Sequence, residues 1–333
     1  MKFVRKLNLD SVKRYCILCN SLDYLNFKVT DNLGFTNTYS VCLECGLCFM
    51  NPMYTEESYS KYYNGLYEKF YGIKGIGDIS KGCKGDLIGS FIKENIPKAK
   101  SVYELGCGSG ANIAALKSLH NFHVSGSDPS QESCFSAKKL YNLNIKNKGI
   151  SYLLKKDINN FDVICLLDVI EHFFNPLDSL KKIYSLLNSG KYLIIETLAL
   201  EIKYPPKGLR GYFRIPHPYN FTINTLKNLI IKSKFEIIKS EILGYGMIRV
   251  LCKKNSKFKS NGKFKSRNNV SICLRSLKKK ETEFLIYKIK TFPFRILFLI
   301  YNIFLSKFLK INQKKIHNGK FFNFLRLKQI YWQ

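Results

Sequence analysis

Two groups of residues in this chain have types and spacings that imply chemistry. The first is a pair of CxxC knuckles, Cys16-Ile-Leu-Cys19 and Cys42-Leu-Glu-Cys45, with 22 residues between them. Four thiolates at this spacing can close a tetrahedral Zn²⁺ site, which is then structural because no coordination position is left open. Gly46 follows the second pair and suits a tight knuckle turn. Cys48 stands three residues after Cys45 and could replace one ligand; the matched knuckles favour Cys16, Cys19, Cys42 and Cys45 as the set. The total of 11 cysteines is odd. With clustered pairs, that count indicates a reduced compartment and a metal, not a disulfide framework.

The second group is Glu104-Leu-Gly106-Cys107-Gly108-Ser-Gly110, followed by Asp128. Glycines permit a tight turn and let backbone N–H groups approach a ligand with no Cβ in the way. The spacing is GxGxG preceded by an acid, which differs from the dinucleotide pattern GxGxxG. Asp128 ends the next apolar run, where a carboxylate can accept both hydroxyls of a ribose. Downstream, Asp168, Glu171 and His172 lie close together in sequence, and Arg210, Arg214 and His217 share a later loop. Either imidazole can serve as a general base, a role worth roughly 10²–10⁴-fold in rate. The arginines can grip a phosphate or a carboxylate.

These residues need elements to hold them. From about residue 99 to 254, apolar runs alternate with amphipathic stretches, the sign of βαβ units and a parallel sheet. Strands are expected at Ser101–Leu105, Phe122–Ser127, Gly149–Leu153, Phe161–Leu167 and Lys191–Thr197. A closing antiparallel pair is expected at Phe235–Ser240 and Met247–Cys252. Helices are expected near Asp86–Asn95 and over Ala111–Leu119, Ser130–Leu140, Asn175–Leu187 and Thr222–Lys232. The glycine turn therefore joins a strand to a helix, and Asp128 and Asp168 stand at strand ends. Four segments follow: residues 1–55 with the knuckles, a lead-in with a helix over 56–98, the α/β domain over 99–254, and a basic apolar helical tail over 255–333.

The glycine turn closely resembles the first motif of class I S-adenosylmethionine-dependent methyltransferases. Phe161-Asp-Val-Ile-Cys-Leu-Leu-Asp168-Val-Ile-Glu171-His172-Phe-Phe-Asn-Pro176 resembles the family's fourth-strand motif. The resemblance covers about residues 99 to 254. It implies an α/β, doubly wound, mostly parallel seven-stranded sheet with one antiparallel strand. It also implies that Glu104, Gly106, Gly108 and Gly110 line the methionine end of the cofactor, with Cys107 as a small filler of the turn. Asp128 would hold the ribose, Asp168 would close the pocket beside the sulfonium, and Glu171 would bond the cofactor's amino group or orient His172. The family often sets another acid against the adenine; Asp157 is the nearest candidate. His172 and His217 are the candidate bases.

Gly46-Leu-Cys-Phe-Met-Asn51-Pro52 after the knuckle, together with His217–Leu226 and Gly246–Lys253, resembles bacterial methyltransferases of surface-glycan and modified-sugar biosynthesis. It resembles zinc-containing sugar C-methyltransferases more distantly. The acceptor expected from this is a sugar, free as a nucleotide-sugar or lipid-linked, methylated on O, C or N.

Composition adds a second theme. The chain of 333 residues carries 54 Lys+Arg against 24 Asp+Glu, a formal charge of +30. Residues 253–333 hold 21 Lys+Arg and two acids, Glu281 and Glu283, so this quarter alone carries +19. Such a charge suits a polyanion: RNA, or an anionic membrane surface. RNA fits a ribosomal RNA methyltransferase with a zinc ribbon, the rival reading, but that group follows its second cysteine pair with a different His-containing signature. A non-catalytic binding protein that keeps the fold is a further rival; the intact glycines and Asp128 speak against it. In the tail, Phe, Ile and Leu alternate with basic residues, the pattern of helices lying on an anionic membrane. A helical layer packed on the domain is the other reading of the tail. Met1–Asp10 is charged and has no apolar core of a signal peptide, and no apolar run reaches the ~18–20 residues of a membrane span. The expected location is cytoplasmic, at the inner face of the membrane if the tail docks there.

Overall fold

The structure is a computed structural model that describes residues 9–31, 34–62, 79–201, 209–259 and 264–308. The end of the tail from residue 309, most of the tyrosine-rich lead-in and the extreme N-terminus lie outside the described residues.

Strand β1 (Ser11–Val12) pairs with β5 (Met53–Tyr54), and between them lie β2 (Tyr24–Thr30), β3 (Thr36–Cys42) and β4 (Cys48–Met50). Helices α1 (Glu56–Tyr62) and α2 (Ile79–Asn95) lead into the large domain. That domain runs β6 (Ser101–Leu105), α3 (Ala111–His120), β7 (His123–Asp128), α4 (Gln131–Tyr141), β8 (Lys146–Asn147), α5 (Lys155–Ile158), β9 (Val163–Leu167), α6 (Pro176–Leu186) and β10 (Tyr192–Leu198). There follow β11 (Tyr219–Asn220), α7 (Ile223–Lys232), β12 (Glu236–Ile242), β13 (Met247–Lys253) and the long α8 (Arg267–Phe308).

The main sheet has seven strands in the order β12-β13-β10-β9-β6-β7-β8. β6, β7, β8, β9 and β10 are parallel neighbours, and β13 runs antiparallel to both β10 and β12. This is the doubly wound, Rossmann-like methyltransferase sheet expected from the sequence. β6 and β9 are buried along their whole length, as central strands covered by helices on both faces must be. β9 is an unbroken apolar run, while β6 carries Ser101 and the buried Glu104 within it. Side-chain caps fix three helix starts: Ser130 accepts from Ser133 N, Asn175 from Asp178 N, and Thr222 from Thr225 N.

One strand stands elsewhere than expected. Gly149–Leu153 is not a strand: Ile150–Tyr152 is a 3₁₀ turn, and β8 is the two residues before it, paired with Ser127 and Asp128. Lys148 N bonds back to Lys146 O, which ends the ladder; Leu153 reaches the core from the turn, while Tyr152 is 75% exposed.

The N-terminal sheet is built across the chain. Its order is β11-β4-β3-β2, so a strand from the loop after β10 completes a sheet made of residues 24–50. A single buried cluster runs from Cys16, Leu18, Leu47 and Phe49 through Tyr219 and Phe221 to Leu226, Leu229 and the core strands. Lys232, at the end of α7, donates to the carbonyls of Ile17 and Leu18 at 2.9 and 2.7 Å. Gly46 has φ +78°, and a Cβ there would meet the Asn269 backbone at 2.6 Å, so the second knuckle abuts the start of α8. Ser266 N also donates to Glu44 O at 2.6 Å.

Candidate cofactor and acceptor site

The glycine turn leaves β6 and enters α3 with φ +72°, +53° and +80° at Gly106, Gly108 and Gly110, a left-handed path that residues with a Cβ rarely take. Gly106 N and Cys107 N donate to Ser127 O at 2.7 and 3.1 Å, which ties the turn to the end of β7. Asp128 stands there. Its Oδ2 accepts from Gly108 N at 2.9 Å and its Oδ1 from Ser130 N at 2.9 Å. The carboxylate is thus fixed against the turn. Glu104, buried in β6, takes a 2.7 Å hydrogen bond from Asn112 Nδ2 on α3. Cys107 is buried, and desolvation pushes its thiol well above the ordinary value, so it packs and does not attack.

Asp157 is taken up by partners near it in the chain. It caps α5 by accepting from Leu154 N at 2.8 Å and pairs with Lys146 and Lys148 at 2.6 and 3.3 Å. Desolvation opposes ionisation, but these partners hold the carboxyl down at about 2. Its oxygens serve the local structure.

Asp168 ends β9 with φ +57° and donates its N–H to Glu196 O at 2.9 Å. Its side chain receives Lys84 of α2 at 2.6 Å. Lys84 also reaches Glu196, 0% exposed, at 3.2 Å, and Arg249 of β13 holds the other oxygen of Glu196 at 2.8 Å. Burial alone would lower the Lys84 ammonium, but Asp168 and Glu196 outweigh it and the group is raised. The Lys84–Glu196–Arg249 chain was missed in the sequence. An acid and an arginine inside strands otherwise apolar were the available signal; Lys84 gave none.

Next along the chain, Glu171 is buried and accepts from Thr197 Oγ1 at 2.8 Å. Desolvation and the nearby Asp168 charge push its carboxyl up to about 8, so it is protonated at neutral pH. His172 and His217, 45 residues apart in sequence, meet edge to face with ring centres 4.8 Å apart. Arg214 Nη2 donates to His217 Nε2 at 3.0 Å. The loop is held from the cysteine-bearing sheet: Tyr39 Oη on β3 donates to Arg214 O at 2.8 Å and to His217 O at 3.3 Å. Arg210, by contrast, is exposed on its 3₁₀ turn. Glu171, His172 and His217 offer ligand atoms within 4.8 Å of one another. A guanidinium seated on one of them, however, suits an anion or a polar neutral group better than a dication.

Burial pushes His172 down to about 4, against a bond to Pro216 O that raises it, and burial with the His172 and Arg214 charges pushes His217 well below the ordinary range. Both folded values lie below the unfolded value of ~6.5. The unfolded chain then takes up protons first as pH falls, so the histidines' contribution to stability is complete above about pH 6.5 and is lost on the way down to 4, while the raised Glu171 acts in the opposite direction. Urea unfolding at pH 7 and pH 5 should show a loss of about 1–3 kcal/mol, and His172→Asn should reduce it.

At the far side of the cysteine-bearing sheet the two knuckles close on each other. Cys16 Sγ lies 3.4 Å from Cys45 Sγ, Cys19 Sγ lies 3.4 Å from Cys42 Sγ, and all four sulfurs fall within 4.8 Å of one another. Hydrogen bonds among the four thiols raise Cys16 and Cys45 and lower Cys19 and Cys42. Cys48 is not in this group; it is buried beside Cys273 of α8 in a separate apolar cluster.

Residues 84–240 match a family model described as a methyltransferase domain. This segment, just under half of the chain, is similar to a methyltransferase domain. Among curated proteins, the chain is 29% identical over 163 residues to a tRNA U34 carboxymethyltransferase of Campylobacter concisus, covering 44% of this chain and 55% of that protein. It is 28% identical over 152 residues to a ubiquinone biosynthesis O-methyltransferase of Coxiella burnetii, covering 40% of this chain and 64% of the relative. The chain thus spans between half and two thirds of the length of these relatives. Solved structures similar to it include the 1,6-didemethyltoxoflavin-N1-methyltransferase of Burkholderia thailandensis, at TM-score 0.48 and 14% identity over 63% of this chain and 96% of that one. The plantazolicin methyltransferase is similar at TM-score 0.44 and 16% identity over 59% and 88%. In the methyltransferase domain, the glycine turn, Asp128 and Asp168 all sit at the carboxyl ends of the parallel strands, where open α/β sheets bind their ligands.

Proposed function

We propose that the methyltransferase domain binds S-adenosylmethionine across the glycine turn and methylates a hydroxyl of a sugar, held between His172 and the loop around His217. The glycine turn locked onto Asp128 carries this reading. A carboxylate has about four acceptor positions. Two backbone N–H bonds fix its plane beside the glycine turn at the end of β7, where an acid can meet a ribose diol. Glu104 supplies a buried negative charge for an ammonium at the methionine end. When bound, the cofactor supplies a sulfonium methyl: the acceptor oxygen bonds to the methyl carbon as the C–S bond breaks, and the bonding pair goes to sulfur. The chain's task is to align the acceptor, worth up to ~7–11 kcal/mol, and to receive the hydroxyl proton. His172 donates one ring N–H to Pro216 O, so its other ring nitrogen carries the lone pair that can take that proton. Arg214 holds His217 in place through Nε2. Both rings are neutral at physiological pH, which suits a neutral polyol.

The same proposal gives the four cysteines a Zn²⁺ ion. Sulfurs on a tetrahedron with Zn–S of ~2.3 Å stand roughly 3.8 Å apart, and the separations in the cysteine cluster bracket that value. The ion would cross-link the knuckles and take no part in the chemistry.

RNA as acceptor is the second reading. The charge of +30 and the tRNA named for several relatives favour it. Labelled S-adenosylmethionine offered with a panel of nucleotide-sugars and, separately, with bulk tRNA decides between the two. Label in the sugar fraction, falling by roughly 10²–10⁴ in His172→Ala with cofactor binding intact, is the expected result. Label confined to tRNA would replace the sugar reading.

A further inference from the structure

Helix α8 changes character along its length. Its first turns are part of the fold: Val270, Cys273 and Leu277 are buried, the last two against Tyr39, Val41, Cys48 and Phe213. Lys280 is buried as well, with its ammonium 4.0 Å over the Tyr212 ring. Past Lys280, four of the described large apolar side chains face outward. Leu285 is 59% exposed, Ile286 47%, Ile289 66% and Phe292 62%. The steps of four and three residues from Leu285 to Ile289 to Phe292 put these three on one stripe. Extended back along the helix, that stripe passes Glu281 and meets Lys278, with Arg275 one turn before it, all exposed. One side of the projecting helix therefore offers basic side chains at its base and an apolar row beyond.

We infer that this stripe docks the protein on an anionic lipid bilayer, with α8 lying in the interface. Apolar side chains of this size are stabilised by leaving water, and a helix in the headgroup region provides that burial without crossing. Among the described residues, no helix is long and apolar enough to cross a membrane. The charge selects the occupant. Residues 253–333 carry 21 Lys+Arg and two acids, so a second copy would bring like charge to the same stripe, whereas a surface of acidic lipids complements it. RNA would complement the charge too, but of the exposed apolar residues only Phe292 offers it a stacking face, and Leu285, Ile286 and Ile289 offer none.

Co-sedimentation of the full chain with vesicles tests the inference. Binding to vesicles of phosphatidylcholine mixed with phosphatidylglycerol is expected, with far weaker binding to phosphatidylcholine alone and release as salt rises. The double variant Ile289→Glu/Phe292→Glu should lower the partition coefficient at least about tenfold. Both positions are exposed, so its circular dichroism and melting temperature should match the parent. Equal partitioning of variant and parent would overturn the role of the stripe, and so would no binding to anionic vesicles. A dimer in sedimentation velocity that the double variant abolishes would assign the stripe to a second copy instead.

Discussion

Gly108→Val is expected to abolish binding of S-adenosylmethionine in titration calorimetry, while the parent binds it with one site per chain. Two physical effects act in the same direction. Gly108 has φ +53°, a conformation that a β-branched residue adopts only under strain, so the turn must shift. That shift moves Gly108 N, which holds Asp128 Oδ2 at 2.9 Å, and so displaces the carboxylate proposed for the ribose. Asp128→Asn acts on the same turn: the amide keeps the size but loses the charge and one acceptor, so either Gly108 N or Ser130 N loses its partner, and binding should weaken. Calorimetry with no heat from the parent protein would remove the proposed cofactor, and the acceptor proposal with it.

Cys16→Ser, or removal of metal by a chelator, is expected to have the largest effect on stability. Metal analysis of the parent should find one zinc per chain, and the variant should lose it. Structural zinc sites bind with apparent free energies of ~10–16 kcal/mol, much of which appears as folding free energy. The consequence should reach beyond the knuckles. Cys16, Cys42 and Cys45 share a buried cluster with Tyr219, Phe221 and Leu226, and the strand at Tyr219–Asn220 follows directly on His217. Loss of the metal should therefore loosen the His217 loop, and transfer activity should fall even where cofactor binding survives. Well under one zinc per folded chain, or a variant as stable as its parent, would overturn the zinc assignment.

Features set by neighbours in the chain could be read from the sequence. The glycine turn, the acid ending β7 and the apolar β9 are local patterns, and the two knuckles announce themselves by matched spacing. Features set by pairing could not. β8 is a strand only because Ser127 and Asp128 lie alongside it, and β11 only because Cys48 and Phe49 do. Glu196 is joined to Lys84 and to Arg249, 112 and 53 residues away, by packing alone. His172 and His217 were each nameable as bases, but their contact depends on Tyr39 gripping the loop from another sheet. The tail offered two readings, a packed layer or a membrane helix. The buried Cys273 and Leu277 and the exposed Ile289 and Phe292 divide α8 between them.

The sheet order β11-β4-β3-β2 also bears on how the protein is made. A ribosome delivers residues 24–50 long before Tyr219 and Asn220. At ~5–20 residues per second, the edge of Cys48–Met50 waits roughly ten to thirty seconds for its partner strand. Through that interval it is an unprotected strand edge rich in apolar side chains, a template for pairing with other nascent chains. Early metal capture by the knuckles would hold the hairpin in register until the last strand emerges. Zinc supply during translation should then govern the yield of well-folded protein more strongly than zinc supply afterwards.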